Sequence, residues 1–200
     1  MTEKIEIIGF IKDKNNIKGE LSSKLSGSNI KITNGDYLFR GDARNDSMDD
    51  IISCLKNVTS CEHMFEYNNI VNAPLFDTSS CTNFASMFNG AIGLKSIPEY
   101  DMSNAVTPGN FCNGCNQLEN VPVYNWGKVP GTNWFNVFSG CSALSDESLN
   151  NIMKSLSTLP SVPANQKRLS RAGINQTQAN RCVELSNWSA LESNGWITGY

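Results

Sequence analysis

The chain has 200 residues, of which 40% are hydrophobic and 18% are charged, and its formal net charge is −3. These values are typical of a globular protein and exclude a strongly basic or strongly acidic chain. Lys95 is almost alone among the cations of residues 57–125, so we expect no nucleic-acid partner. Because no apolar stretch is long enough to span a bilayer, we expect no membrane insertion.

The N-terminal stretch MTEKIEIIGFIKDKNN has an apolar run of only about five residues before Lys12. Such a run is too short for the core of a signal peptide. If Met1 is the native start, we expect folding in a reducing compartment, and the odd number of seven cysteines agrees with free thiols. The expected location is a virion or the cytoplasm.

Residues 1–33 contain the short extended runs KIEIIGFI, NIKGELSS and NIKIT, which predict a small antiparallel β element. This element fits an attachment or homo-oligomerisation arm, and equally a plain N-terminal extension. Residues 34–56 predict an N-terminal helical cap that begins after Asp46. Its apolar stripe consists of Met48, Ile51, Ile52 and Leu55.

A repeat of 24 residues dominates residues 57–144. Aligned on Asp77 and Asp101, two copies read DTSSCTNFASMFNGAIGLKSIPEY and DMSNAVTPGNFCNGCNQLENVPVY. A shorter copy precedes them and a longer copy follows, which makes four. Repeats of this length indicate stacked units that bury their apolar faces against one another.

Each copy is predicted to combine one short helix with one short strand. Phe84, Met87 and Phe88 have helical spacing, and Gly90 suits the end of a helix. The following LKSIPEYD is too short for a helix and suits a brief strand. The predicted fold class is therefore α/β: a short solenoid of about four coils, with short parallel strands, short helices and helical caps.

We expect a distorted or lost turn at Pro108 and Gly109, because proline breaks a helix. The shared core should contain three columns of side chains: Leu94, Leu118 and Leu144; Ile97 and Val121; and Phe65, Phe88, Cys112 and Phe138.

Residues 145–200 predict a C-terminal helical cap and appendage. The first helix should begin after Ser145, with an apolar stripe of Leu149, Ile152, Met153 and Leu156. Residues 175–178 form a capping box for a second helix, and a third should lie near residues 188–193. The final WITGY suits a strand that docks Trp196 on the body.

Cysteine and histidine are the candidates for chemistry. Cys112 and Cys115 form a CxxC motif, and Cys141 follows one repeat later. Repeat packing explains each of these cysteines as a small buried residue, and His63 is the single histidine. We therefore expect no metal site, no cofactor and no catalytic residue, with His63 on a helix surface. The protein is predicted not to be an enzyme.

The pattern MFNG followed by L-x-x-I-P-x-Y-D-x-S-N resembles the BspA-like leucine-rich-repeat family of bacterial surface proteins, over residues 34–144. Residues 35–65 and 144–200 are also similar to segments that flank such repeats in proteins carried by phages and prophages. This resemblance implies a leucine-rich-repeat-like solenoid and a role in surface recognition.

An aromatic column is the predicted recognition surface. Phe76, Tyr100 and Tyr124 recur one repeat apart and are followed by Trp126 and Trp134. If these side chains face outward, the ligand-binding residues for a glycan or peptide are Tyr100, Tyr124, Trp126 and Trp134. If they face inward they are core, which is the placement that we favour for most of them. The tryptophans are the better candidates for exposure.

Two functions from different classes remain open. The first is a phage-encoded, tail-associated protein that binds a protein or glycan on a bacterial surface. The second is an intracellular protein-interaction module, such as a phage-encoded inhibitor of a host protein. An exported bacterial adhesin is a third alternative, which the start of the chain disfavours.

Overall fold

A computed structural model describes residues 31–41, 48–130 and 133–199 of the protein. Most of the β element predicted for residues 1–33, and the predicted capping residue Asp46, therefore lie outside the described residues.

Regular secondary structure lies at the two ends of the described chain. Strand β1 (Ile32–Asn34), helix α1 (Met48–Ser53) and strand β2 (Leu55–Ser60) come first. Helices α2 (Asp146–Leu156), α3 (Gln176–Cys182) and α4 (Trp188–Ser193) come last, with 3₁₀ turns at Ala164–Gln166 and Leu169–Ala172. Strands β1 and β2 pair in parallel, with Ile32 opposite Leu55.

The predicted α/β solenoid of four coils, with a short helix and a short strand in each, is wrong. Over the described ranges, the regular structure amounts to one two-stranded parallel sheet and four α-helices. Between β2 and α2, the described residues form no helix and no named strand. The expected strand positions are reduced to isolated parallel bridges, such as Asn72 with Ser96 and Ser96 with Asn120.

Consecutive turns replace the predicted helices. Five turn segments occupy residues 35–41, 61–67, 84–90, 108–114 and 134–140. In the third segment, the amides of Met87 and Asn89 donate to carbonyls three residues earlier. The intervening amides of Ser86, Phe88 and Gly90 donate instead to carbonyls of the fourth segment. Alternate amides thus bond within a segment and to the next one.

Left-handed residues explain why these segments are not helices. Ser86 has φ 55° and Gly90 has φ 70°, so a left-handed residue occurs every four positions. A right-handed helix cannot continue through such residues. The break predicted at Pro108 and Gly109 is also wrong, because turns continue over residues 109–114. Pro108 precedes the first turn, where the fixed φ of proline is compatible with the chain path.

The first turn segment lies inside the range predicted as an N-terminal helical cap. Its sequence YLFRG matches SMFNG of the third segment at phenylalanine and glycine. The amides of Tyr37, Phe39 and Gly41 donate to carbonyls of the second segment, as in later pairs. Helix α1 follows only at Met48.

One apolar core runs under all five turn segments. The rings of Phe39 and Phe65 stack at 5.1 Å between centroids, and those of Phe65 and Phe88 at 5.3 Å. The three predicted columns are buried, with at most 5% exposure at any member: Leu94, Leu118, Leu144, Ile97, Val121, Phe65, Phe88, Cys112 and Phe138.

Helix α2 accepts hydrogen bonds from backbone amides of residues 121–124, at the end of the third copy of the repeat. Helix α2 begins after Ser145, as predicted, and Ser148 Oγ accepts from the Val121 amide at 2.8 Å. One turn farther along, Ser155 Oγ accepts from the Tyr124 amide at 2.8 Å. The predicted capping box of Asn175 and Gln178 and the helix at residues 188–193 are confirmed. The stack of turns itself ends on the 3₁₀ turn Leu169–Ala172, where the Arg171 and Ala172 carbonyls accept from the Asn136 and Phe138 amides.

Candidate functional site

The four predicted ligand-binding residues lie in the core. Tyr100 and Tyr124 are 2% and 1% exposed, and Trp126 and Trp134 are fully buried. The expectation that the tryptophans are exposed is therefore wrong. The hydroxyl of Tyr100 donates to the carbonyl of Pro74 at 2.7 Å, and that of Tyr124 donates to a proline carbonyl one repeat later at 3.0 Å. Burial raises the pKa of both tyrosines, which therefore stay neutral.

The surface formed by the turn segments differs along the stack at its left-handed positions. The last three segments carry small or flexible residues there: Ser86, Asn110, Asn136, Gly90, Gly114 and Gly140. The first two segments place Tyr37, His63 and Tyr67 at equivalent positions, with φ of 60°, 54° and 56°. A left-handed backbone is unfavourable for a bulky residue such as tyrosine, whereas histidine adopts it more readily.

These aromatic residues converge around one arginine. The rings of Tyr37 and His63 stack at 4.8 Å, with an angle of 15° between their planes. The guanidinium of Arg40 lies 5.6 Å from the Tyr37 ring centroid and 5.8 Å from that of Tyr67. Both distances permit cation–π attraction. We name Tyr37, Arg40, Glu62, His63, Glu66 and Tyr67 the aromatic cluster.

A buried carboxylate anchors the aromatic cluster from below. The Glu66 side chain is 4% exposed, and its Oε2 lies 2.5 Å from Arg40 Nε and 3.0 Å from His63 Nδ1. Its Oε1 accepts a hydrogen bond from Asn89 Nδ2 at 2.8 Å. Glu66 thus fixes Arg40 and His63 against the third turn segment. The prediction of His63 on a helix surface is wrong, since His63 lies in a turn and packs on Tyr37.

The rim of the aromatic cluster is acidic. Asp36 Oδ1 accepts from the Glu62 amide at 2.8 Å, which holds the second segment against the first. Glu62 Oε2 accepts from Asn83 Nδ2 at 3.3 Å, and the Glu62 side chain is 38% exposed. The exposed parts of the cluster are therefore two tyrosine rings, one arginine and one glutamate; the tyrosine rings are held by contacts with Arg40 and, for Tyr37, by stacking on His63.

The cysteines have structural partners. Cys115 Sγ donates to the Phe88 carbonyl at 3.0 Å, and Cys141 Sγ donates to the Cys112 carbonyl at 3.1 Å. Asn68 takes the same position in the second segment, where its Nδ2 donates to the Phe39 carbonyl at 2.8 Å. After three of the segments this position supplies a donor to the preceding segment, whereas Ala91 occupies it after the third segment and supplies no side-chain donor. In the described part of the chain, no group of three or more metal-binding side chains is arranged to hold an ion.

A half-open cavity of about 370 Å³ lies beside the ends of α2 and α4. Its lining includes Leu156, Trp196 and Lys167. The Lys167 ammonium donates to the Asn194 carbonyl at 2.6 Å, directly after α4 ends. A cation at the C-terminal end of a helix is a common stabilising arrangement. The cavity is therefore less favoured as a site than the exposed aromatic cluster.

The sequence analysis did not predict the aromatic cluster, although one departure from the repeat pattern indicated it. In HMFEY, Tyr67 takes the place that glycine holds in YLFRG, SMFNG and FCNG. Replacement of a repeated turn glycine by an aromatic residue indicates either a changed backbone or a retained, strained one. The structure retains the left-handed backbone at Tyr67.

The described residues contain no helix that is both long and apolar enough to cross a membrane. No curated protein and no solved structure matches the chain. Residues 34–152 match the family described as Mycoplasma protein of unknown function, DUF285. Because this match spans more than half of the 200 residues, the protein belongs to the DUF285 family.

Proposed function

We propose that the protein is a non-catalytic recognition protein that binds a partner protein on a bacterial surface through the aromatic cluster. The observation that carries this proposal is the presence of three aromatic residues at left-handed turn positions, where later segments use glycine, asparagine or serine. Strained backbone is retained where the surrounding structure holds it, and it is concentrated at functional sites.

Packing explains these residues only in part, since the Tyr67 ring lies over Gly90 and Tyr37 stacks on His63. A left-handed conformation costs about 1–2 kcal/mol for a residue with a side chain. Tyr37 is 36% exposed and Tyr67 is 56% exposed, so burial returns only part of the hydrophobic free energy of each ring. A binding surface accounts for large side chains that are both strained and exposed.

The chemistry of the aromatic cluster favours a protein partner over a sugar. Tyrosine and arginine are enriched among the residues that dominate protein–protein binding energy. Stacking on a sugar requires a free aromatic face, whereas Arg40 lies against both tyrosines and His63 stacks on Tyr37. The ring edges, the hydroxyls and the Arg40 fork are the groups that remain for a partner.

Rigidity supports the same proposal. Three backbone amides of the second segment, those of His63, Phe65 and Tyr67, donate to the third segment within 3.0 Å. A side chain on such a frame loses less conformational freedom on binding than one on a mobile loop. The resemblance to BspA-like surface repeats supports a partner on bacterial cells, and the flanking segments support a phage-encoded, tail-associated role.

The test measures binding of labelled protein to intact cells of the bacterium that carries the gene or hosts its phage. The variant combines Tyr37→Asn, His63→Asn and Tyr67→Gly, which copies the later segments. We expect saturable binding by the wild type and at least tenfold weaker binding by the variant, because truncating central aromatic residues of an interface costs about 2 kcal/mol or more.

The matched control combines Asn110→Ser and Asn136→Ser, which change equivalent positions in the fourth and fifth segments. This control should bind cells like the wild type. Equal binding by wild type and triple variant would remove the aromatic cluster from recognition. Absence of cell binding, together with recovery of one stoichiometric cytosolic partner, would replace the surface role with an intracellular one.

A further inference from the structure

Two cysteines meet where the second turn segment packs on the third. Cys61 begins the second turn segment, and Cys81 precedes the third. Their sulfur atoms lie 3.5 Å apart, and both side chains are fully buried. Sulfur atoms in a disulfide are about 2.05 Å apart, so the remaining gap is about 1.5 Å.

We propose that Cys61 and Cys81 form a disulfide-bonding site that cross-links neighbouring repeats when the chain folds in an oxidising compartment. The backbone already holds the two segments together, since the Cys61 amide donates to the Asn83 carbonyl at 2.8 Å. Both cysteines are free thiols in the structure described above.

The other close thiols differ from this pair. Cys115 and Cys141 each donate to a carbonyl of the preceding segment, which gives both a structural role. Cys81 Sγ also lies near a carbonyl, that of Asn83 at 3.3 Å, but it has the Cys61 sulfur beside it as well. The direct sulfur–sulfur contact at 3.5 Å makes Cys61–Cys81 the pair to test first.

The reaction is a thiol–disulfide exchange with a small-molecule disulfide such as oxidised glutathione. One cysteine thiolate attacks that disulfide and releases one thiol, which gives a mixed disulfide. The second cysteine thiolate then attacks the protein sulfur of the mixed disulfide and releases the second thiol. Two cysteine thiols are oxidised, the small disulfide is reduced to two thiols, and one sulfur–sulfur bond replaces another.

Folding sets the time at which this reaction is possible. Hydrogen bonding of the Cys61 thiol with Cys81, together with burial, raises the pKa of Cys61, so the folded protein offers little thiolate. Full burial also keeps a small disulfide away from both sulfur atoms. The cross-link should therefore form during folding, and the finished reduced protein should oxidise slowly.

The cross-link would act directly behind the aromatic cluster, because Glu62 and His63 follow Cys61 in the chain. It would close a loop of 20 residues. For a chain of this length, a loop of that size predicts a rise in Tm of about 6–12 °C. The proposal is independent of the function proposed above, since it requires only folding and thiol chemistry.

The experiment refolds the full chain from denaturant with either reduced or oxidised glutathione, and then alkylates free thiols. Trypsin cleaves after Lys56 and Lys95, which leaves both cysteines in one peptide, residues 57–95. A second protease that cleaves after Glu62 and Glu66 separates Cys61 from Cys81. Mass spectrometry should then find residues 57–62 joined to residues 67–95 after oxidative refolding only. The oxidised sample should show the higher Tm, and native reduced protein should link at least tenfold more slowly.

Two variants locate the effect. Cys81→Ala should abolish the shift in Tm between oxidised and reduced samples, whereas Cys112→Ala should keep it. Alkylation of both Cys61 and Cys81 after oxidative refolding would overturn the proposal. So would a dominant link from Cys115 to Cys112 or Cys141, or a Cys61–Cys81 link that leaves the Tm unchanged.

Discussion

The first two turn segments and the last three share one backbone but carry different surfaces. Both groups have the same alternating hydrogen bonds and the same left-handed positions. In the later group, residues at these positions suit the backbone, because glycine and asparagine tolerate positive φ. In the earlier group, Tyr37, His63 and Tyr67 oppose it. The comparison teaches that the fold requires the turn, whereas the strained aromatic residues need a separate explanation.

The core column should show the largest effect of a single change. Phe65→Ala should lower the free energy of unfolding by about 3–5 kcal/mol, because the ring is fully buried between two other phenylalanine rings. Cys112→Ala at the equivalent later position should cost only about 1 kcal/mol, since it removes one atom. Denaturant unfolding measures both, and equal losses would contradict a column shared by the two regions.

The buried carboxylate should show the next largest effect. Glu66→Gln should cost about 1.5–3 kcal/mol, because the neutral amide cannot form the ion pair that the Glu66 carboxylate makes with Arg40. Asn113→Ala, at the same position two segments later, should cost less than about 1 kcal/mol. Denaturant unfolding at neutral pH measures both free-energy losses. If Glu66→Gln costs as much in an Arg40→Ala background as in the wild type, the ion pair is not the source of the loss.

Exchanging the residues at a left-handed position sharpens the comparison directly. Tyr67→Gly should raise the free energy of unfolding by about 0.5 kcal/mol, because relief of the left-handed backbone exceeds the added freedom of the unfolded chain. Gly114→Ala should lower it by about 1 kcal/mol, although its Cβ would meet no atom closer than 3.6 Å. Thermal unfolding distinguishes the two, and a clear loss in Tyr67→Gly would assign Tyr67 to packing.

The smallest effect concerns pH. Hydrogen bonds from Ser79 and Ser103 lower the pKa of Asp77 and Asp101 respectively. A carboxyl whose folded pKa is depressed stabilises the protein above its unfolded pKa, and this contribution disappears as pH falls through the folded pKa. Asp77→Asn with Asp101→Asn should therefore make stability less dependent on pH below about 4.

The later copy provides the natural control for this pH effect, because Asn125 accepts the equivalent hydrogen bond from the Gly127 amide without titrating. Unfolding midpoints between about pH 5 and pH 3 measure the effect. An unchanged pH profile in the double variant would show that other carboxyls determine the acid dependence. Both carboxylates are almost fully exposed, so the change should be slight.

Much of the framework was accessible from the sequence. The spacing of Leu94, Leu118 and Leu144 identified a buried column, and the caps at Ser145 and Asn175 gave the starts of α2 and α3. The secondary structure within the repeats was not accessible. Phe84, Met87 and Phe88 have the spacing of a helix, but the same side chains face inward from consecutive turns.

The candidate site was less predictable than the framework. The recurrence of Tyr100 and Tyr124 gives a position and no direction, so the sequence left both the surface and the core open for them. The proline carbonyls that accept their hydroxyls come from preceding repeats. The aromatic cluster joins residues from two segments about 26 positions apart, namely Tyr37 and Arg40 with His63, Glu66 and Tyr67. Neither segment reveals the cluster alone.

The sequence by itself determined the repeat register, the apolar columns and the capped helices at the C-terminal end. These features depend on the order of polar and apolar residues along a short stretch of chain. Only the tertiary structure decided that the repeats are turns and that the tyrosine column is buried. It also brought the strained aromatic residues around Arg40. The physical reason is that half of the turn amides bond to the neighbouring repeat, so the conformation of each repeat depends on the next one.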